Sequence, residues 1–197
     1  VIYIGEGRER RLEHDTDDQL VALILRGDVS AMELLTHRYY AKVYAYCARH
    51  LGDPIAAQDI TQEVFLKLLQ SAGSYRPRGK FAGWLMTIAV NCCRTYLSSA
   101  YHRHASAFLP VETLRLPAEG TVEENAERAS LTDVVRAALL ELPAPQRETL
   151  LLRFYGGYTL SEISRITGAP LPTVKYRIRQ AYKRLKIMLK EDLYEED

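Results

Sequence analysis

Between Pro170 and Lys190 the sequence places seven basic residues, Lys175, Arg177, Arg179, Lys183, Arg184, Lys186 and Lys190, and no acidic one. Cations at that density attract phosphate, and Arg and Lys also pair with guanine edges. A second group, Tyr75, Arg76, Arg78, Lys80, Phe81 and Trp84, mixes cations with flat rings inside ten residues. That mixture suits single-stranded nucleic acid, because cations hold the backbone and each stacked base contributes about 1–3 kcal/mol. In this group Tyr75 and the loop cations are the stronger contact candidates, and Trp84 reads better as a core anchor. A third group, Asp59, Gln62 and Glu63, is polar and acidic at spacings of three and four. Those spacings put one stripe on one helix face, either a solvated surface or a dock for a basic partner.

The elements that position these residues are helices. Thr159 with Glu162 three residues later forms a capping box, and Leu160, Ile163 and Ile166 share one face behind it. Gly168 ends that helix, and Pro170 and Pro172 turn the chain into a second helix whose predicted buried face is Val174, Ile178, Tyr182 and Leu185. A short helix, a turn and a basic helix make a helix-turn-helix, whose second helix enters the major groove. Thr173, Lys175, Tyr176, Arg177 and Arg179 then sit near the end that meets base edges, while Lys183, Arg184 and Lys186 hold phosphates.

Upstream, Thr16 and Gln19 form another capping box and open a helix to about Leu25, and a longer helix runs from about Ser30 to Leu51. Asp53 as N-cap and Pro54 as first residue start a helix to about Ser71, with Ile60, Val64, Phe65, Leu68 and Leu69 expected inside. A further helix is expected from about Ala82 to Ser98. Prolines, Gly120 and five acidic residues between about 99 and 130 mark a linker, and helices resume at Leu131 and after Pro143-Ala-Pro145. Leu150, Leu151, Phe154 and Tyr155 are expected in the core. The expected fold is all-α, two small helical domains joined by a flexible linker. Its divisions are a 1–15 extension, domains at 16–100 and 131–190, a linker at 101–130, and an acidic tail at 191–197.

Composition bounds the alternatives. At 47% hydrophobic and 26% charged residues the chain has a globular composition, and no apolar run is long enough to span a membrane. The opening residues carry no basic stretch followed by an apolar one, so no secretory signal is expected. Net charge is only +1, but the segregation of charge matters more than its sum, because phosphate attraction is local. No Gly-rich phosphate loop, nucleophile triad or catalytic carboxylate pair appears, so an enzyme is not expected, nor is a cofactor. Cys92, Cys93, His102 and His104 invite a metal reading, but adjacent helical cysteines diverge by about 100° and packed thiols fit better. Three cysteines, two of them adjacent, suit a reducing cytoplasm.

Two separated runs carry a resemblance. Residues Tyr44 to Leu51, Gly52-Asp53-Pro54, Asp59-Ile-Thr-Gln-Glu-Val-Phe65 and Lys80-Phe81-Ala-Gly-Trp84 through Asn91 resemble domain two of the extracytoplasmic-function (ECF) sigma factors. Leu142-Pro-Ala-Pro-Gln-Arg147 and the helix-turn-helix through Arg177 are similar to domain four of the same group. The resemblance implies a promoter-specificity subunit of RNA polymerase with no active site of its own. Domain two would dock on the clamp of the largest subunit through Asp59, Gln62, Glu63 and the adjacent Leu66. It would open the minus-ten element through Tyr75, Arg76, Arg78, Lys80, Phe81, Asn91, Arg94 and Arg103. Asn91 can reach a base edge or cap a buried carbonyl.

Domain four would sit on the flap of the second-largest subunit and read the minus-thirty-five element through Thr173, Lys175, Tyr176, Arg177, Arg179 and Lys183. An anti-sigma partner is implied as well, in the cytoplasm or holding the protein at the membrane without the protein inserting. The sequence departs from the family after Asn91, where Cys92-Cys93-Arg94-Thr95-Tyr96 leaves few cations, and at Tyr176, usually a small residue. The departure implies promoter contact by this helix that is either weaker or moved to Tyr101, His102, Arg103 and His104. The competing expectation is a free-standing transcription regulator in which 16–100 is a signalling or dimerisation domain and only the helix-turn-helix meets DNA.

Overall fold

Thr16 and Thr159 cap their helices as their spacing predicts. Gln19 Oε1 accepts from Thr16 N–H at 2.7 Å, and Glu162 Oε2 accepts from Thr159 N–H at 2.8 Å, each closing a reciprocal box. The computed structural model describes residues 14–103 and 133–194. Its helices are α1 (Asp17–Ile24), α2 (Val29–Leu51), α3 (Pro54–Ser71) and α4 (Phe81–Arg103), then α5 (133–141), α6 (Ala144–Phe154), α7 (Leu160–Thr167) and α8 (Leu171–Tyr194). A single 3₁₀ turn, Ala72–Ser74, follows α3, and no strand occurs among the described residues. The fold is all-α, as expected.

The boundaries follow local chemistry. Asp53 accepts from the N–H groups of Ile55 and Ala56 with Pro54 inside the first turn, and Gly52 and Gly168 end α2 and α7 in the left-handed region. Helix α4 runs past Ser98 to Arg103, because no glycine or proline interrupts the chain between Gly83 and Pro110. The predicted linker falls mostly on residues 104–132, outside the described ones.

In the first half α2, α3 and α4 pack on one another, with α1 against α2. Leu35, Val43, Cys47, Val64, Leu68, Phe81, Leu85, Ala89 and Val90 fill the space between them. In the second half α6, α7 and α8 meet over Leu151, Leu152, Ile163 and Val174.

Four expected core residues lie outside. Tyr182 is exposed because α8 buries the face of Val174 and Ala181, and one residue beyond Ala181 points about 100° away. Leu69 is turned out by the same step from Leu68, and Phe154 and Tyr155 protrude at the end of α6.

The halves are packed against each other. Helix α4 lies on α7 and α2 lies on α6, so the buried residues form one continuous core. Gly52 shows how closely the backbones approach. Its φ is +75°, and a Cβ there would meet the Leu140 side chain at 2.7 Å, so a larger residue is excluded twice.

Candidate nucleic-acid interface

Helix α8 presents the cations that its sequence promised. Lys175, Tyr176, Arg179 and Lys183 are exposed, and Thr173 and Arg177 are half-buried at its first turns. The turn before it is tied internally, with Ser164 Oγ donating to the Ala169 carbonyl at 2.7 Å. Val174 anchors the helix at 0% exposure, fixing which face looks outward. The Arg179 guanidinium lies 5.9 Å from the Tyr176 ring centre, so Tyr176 steers a cation as well as offering its own surface. Leu160, Ile178 and Tyr182 line a shallow groove rimmed by Lys175, Arg179, Lys183 and Lys186.

The loop between α3 and α4 divides its residues differently from the sequence reading. Arg76, Arg78 and Lys80 are exposed, but Tyr75 and Phe81 are 7% and 1% exposed. Neither ring offers a face to an unstacked base, which corrects the expected role of both. They are core because loop and helix start are pinned. Tyr75 packs edge-on to Phe81, both lie against half-buried Trp84, and Tyr39 meets Phe81 from α2. The Tyr75 hydroxyl donates to Asp18, and burial with that bond pushes its pKa up to about 12. Gly79 N–H donates to the other Asp18 oxygen at 2.9 Å. The aromatic cluster is thus a rigid mount for three exposed cations. Asp18 escaped the sequence reading because a lone acid in a first helical turn reads as a favourable dipole partner and no more.

Helix α4 carries an outward face at helical spacing in Trp84, Ile88, Asn91, Thr95 and Ser98. Asn91 is exposed, so of its two readings the base-edge one has the open geometry. Arg94 points elsewhere. Its Nε and Nη2 donate to the two carboxylate oxygens of Glu148 at 2.8 and 2.7 Å, and Nη2 also reaches the Thr167 carbonyl at 2.9 Å. A guanidinium so engaged cannot also hold DNA in this arrangement, which corrects Arg94 as a free contact. Arg103 ends α4, and its side chain, like those of Tyr101 and His102, lies outside the described residues, as does all of His104.

On α3 the exposed stripe is longer than expected. Asp59, Gln62 and Leu66 continue to Ile55 on one side and Leu69 on the other, at steps of three and four. Ile55, Leu66 and Leu69 are 76%, 59% and 46% exposed, an apolar line between polar neighbours. Glu63 lies at its edge, paired with Lys67 at 2.6 Å. Leu69 was missed because Leu after Leu68 reads as core, and Ile55 because an apolar residue in the first turn after Pro54 carries no signal of its own. Cys92 and Cys93 are buried, and Cys93 Sγ lies 3.7 Å from Cys47 Sγ across the α2–α4 packing. Among the described residues no group of three His, Cys, Asp or Glu side chains is placed to hold a metal ion, and no helix is long and apolar enough to cross a membrane.

Known proteins align with this layout. Residues 35–103 match the family described as Sigma-70 region 2, and residues 132–185 the family described as Sigma-70, region 4. The RNA polymerase sigma-H factor of Pseudomonas aeruginosa is 32% identical over 178 residues, 86% of this chain and 92% of that protein. The ECF RNA polymerase sigma-E factor of Escherichia coli shares the same figures, and the RNA polymerase sigma factor CarQ of Myxococcus xanthus is 30% identical over 84% of this chain and 92% of its own. Two solved structures share the fold. One is CnrH in complex with the cytosolic domain of CnrY, with TM-score 0.66, 24% identity, and 90% and 99% of the two chains covered. The other is RpoE of Bartonella quintana with the anti-sigma factor NepR, with TM-score 0.69, 20% identity, and 82% and 98% covered. Two helical regions in the right order, matched across most of the chain at this identity, make this protein a member of the ECF RNA polymerase sigma factors.

Proposed function

We propose that this chain directs core RNA polymerase to a set of promoters, docking through the α3 stripe, melting through the 76–80 loop and α4, and anchoring upstream through α8. The observation that carries the reading is the separation of three chemistries onto three exposed faces: apolar-acidic on α3, cationic on a pinned loop, cationic on the second helix of a helix-turn-helix. In this reading residues 16–100 form the docking and melting domain and 131–190 the upstream-reading domain. The chain itself does no covalent chemistry, since phosphodiester formation belongs to the polymerase. The clamp of the largest subunit meets Asp59, Gln62 and Leu66 with Ile55 and Leu69 beside them, and the flap receives the second domain. Arg76, Arg78, Lys80 and Asn91 approach the minus-ten element. Lys175, Tyr176, Arg177 and Arg179 face bases of the minus-thirty-five element, with Lys183 on phosphate.

Control by an anti-sigma factor belongs to the same reading, supported by the partners named in the complexes of CnrH and RpoE. Such a partner would hold the protein in the cytoplasm or at the inner face of the membrane. The test is a pair of titrations with purified chain. The reading expects tight binding to core polymerase and weak binding to duplex DNA alone; tight, sequence-specific operator footprints without polymerase would favour a free-standing regulator instead.

A further inference from the structure

The packing of the two halves has a geometric consequence. Helix α4, on the melting side, lies directly on α7, which is the first helix of the helix-turn-helix. Elements centred at minus ten and minus thirty-five are about 25 base pairs apart, or about 85 Å of duplex at 3.4 Å per pair. Two surfaces in mutual contact cannot rest on both. The chain between 103 and 133 can span the gap, since about 30 extended residues reach about 100 Å. The packed form is therefore not the promoter-bound form.

The contact that holds it is specific. Arg94 on α4 grips Glu148 on α6 with two bonds, and Glu148 is 1% exposed. Around it the Tyr158 hydroxyl donates to the Ala82 carbonyl at 3.3 Å, and Arg136 donates to the Gly52 carbonyl at 3.3 Å. The Arg49 guanidinium covers the Tyr155 ring at 4.5 Å, and Lys42 covers Tyr158 at 4.9 Å. Every one of these joins the first half to the second. Beneath them Tyr46 Oη, His50 Nδ1 and Arg147 Nε are buried without a hydrogen-bond partner among the described protein atoms. A junction with polar groups left unsatisfied is costlier to keep shut than an apolar seam, and so easier to open.

We propose that the Arg94–Glu148 pair is an intramolecular latch that holds the sigma factor closed and unable to engage a promoter until polymerase or DNA separates its halves. The latch works by engaging Arg94 with Glu148 and by holding α4 against α7, so that the two DNA-reading surfaces stay too close together to reach both promoter elements. It rests on the promoter-reading role proposed above. A chain whose open form is a minority binds its partner more weakly by that fraction, so a latch leaving one molecule in ten open costs about tenfold in apparent affinity.

The test uses the full-length chain with Glu148→Gln, read by small-angle scattering and by titration against purified core polymerase. The expected result is a larger radius of gyration than wild type with unchanged helical content, and affinity for core polymerase raised by up to about tenfold. The exchanged pair Arg94→Glu with Glu148→Arg should restore the compact scattering curve. Should Glu148→Gln lose helical content, Leu140→Gln, at the contact with Gly52, provides the same two readings. Unchanged scattering in a folded variant overturns the latch whatever polymerase does. Expansion with no polymerase binding by either chain supports the latch and contradicts the sigma reading instead.

Discussion

Tyr75 and Asp18 lie 57 residues apart in sequence and are joined by a direct hydrogen bond from the phenol to the carboxylate. The second carboxylate oxygen takes the Gly79 N–H, so one aspartate in α1 fixes both ends of the loop that shows Arg76 and Arg78 to solvent.

Asp18→Ala should release that loop. Hydrogen bonds to a charged group contribute about 1.5–3 kcal/mol each, so a stability loss of about 2–3 kcal/mol is expected once relaxation is allowed for. Thermal unfolding measures this. Permanganate footprinting of promoter complexes should show reduced opening at unchanged core affinity, and undiminished opening would detach the loop from melting.

Leu66→Glu should weaken binding to core polymerase by about tenfold or more, because a charge would enter the apolar centre of the proposed docking stripe. Folding should hardly change, since Leu66 is 59% exposed and surface substitutions usually stay within about 0.5 kcal/mol. Wild-type affinity in fluorescence titration would remove α3 from the interface.

On α8 the two classes of cation should separate. Lys175→Ala should cost about 1–3 kcal/mol of binding to promoters that need the upstream element and relax its base preference. Lys183→Ala should weaken all sequences alike and lower the salt slope by about one. Both are read by holoenzyme binding at several salt concentrations. Equal effects would mean that α8 lies on the duplex in another register.

His50 should make the closed form sensitive to acid. It is 1% exposed in α2, with Tyr46 stacked on it, Arg147 of α6 and Arg94 of α4 acting on it, and Glu148 and Cys93 acting in turn on Tyr46. Burial first, then Arg147 and Arg94, hold its pKa down at about 3. A histidine depressed in the closed form takes up its proton preferentially when open or unfolded. Closure is therefore fully favoured above about pH 6.5 and lost as pH falls toward 3, by about 1.4 kcal/mol per unit. His50→Gln should flatten that slope in stability measured between pH 7 and 5. An unchanged slope would assign it to other groups.

Much of the fold was legible in the sequence because its signals were local. Capping at Thr16, Asp53 and Thr159, the glycine stops at Gly52 and Gly168, and the apolar periods of α3 and α7 each involve residues within one turn. What was not legible depended on partners far along the chain. Tyr75 and Phe81 looked like stacking rings because nothing nearby shows that Asp18 and Tyr39 enclose them. Arg94 looked like a DNA contact because its partner is 54 residues on, in a helix read as plain core. Leu69 looked buried because one exposed apolar residue beside a core position is invisible to a period of 3.6.

The most direct test of the account is multi-round transcription by sigma-free core polymerase supplied with this chain over a genomic promoter library. The account expects transcripts from a small set of start sites sharing upstream and minus-ten elements, lost with Leu66→Glu. Transcription no different from core polymerase alone, at protein concentrations where the chain is folded, would contradict it.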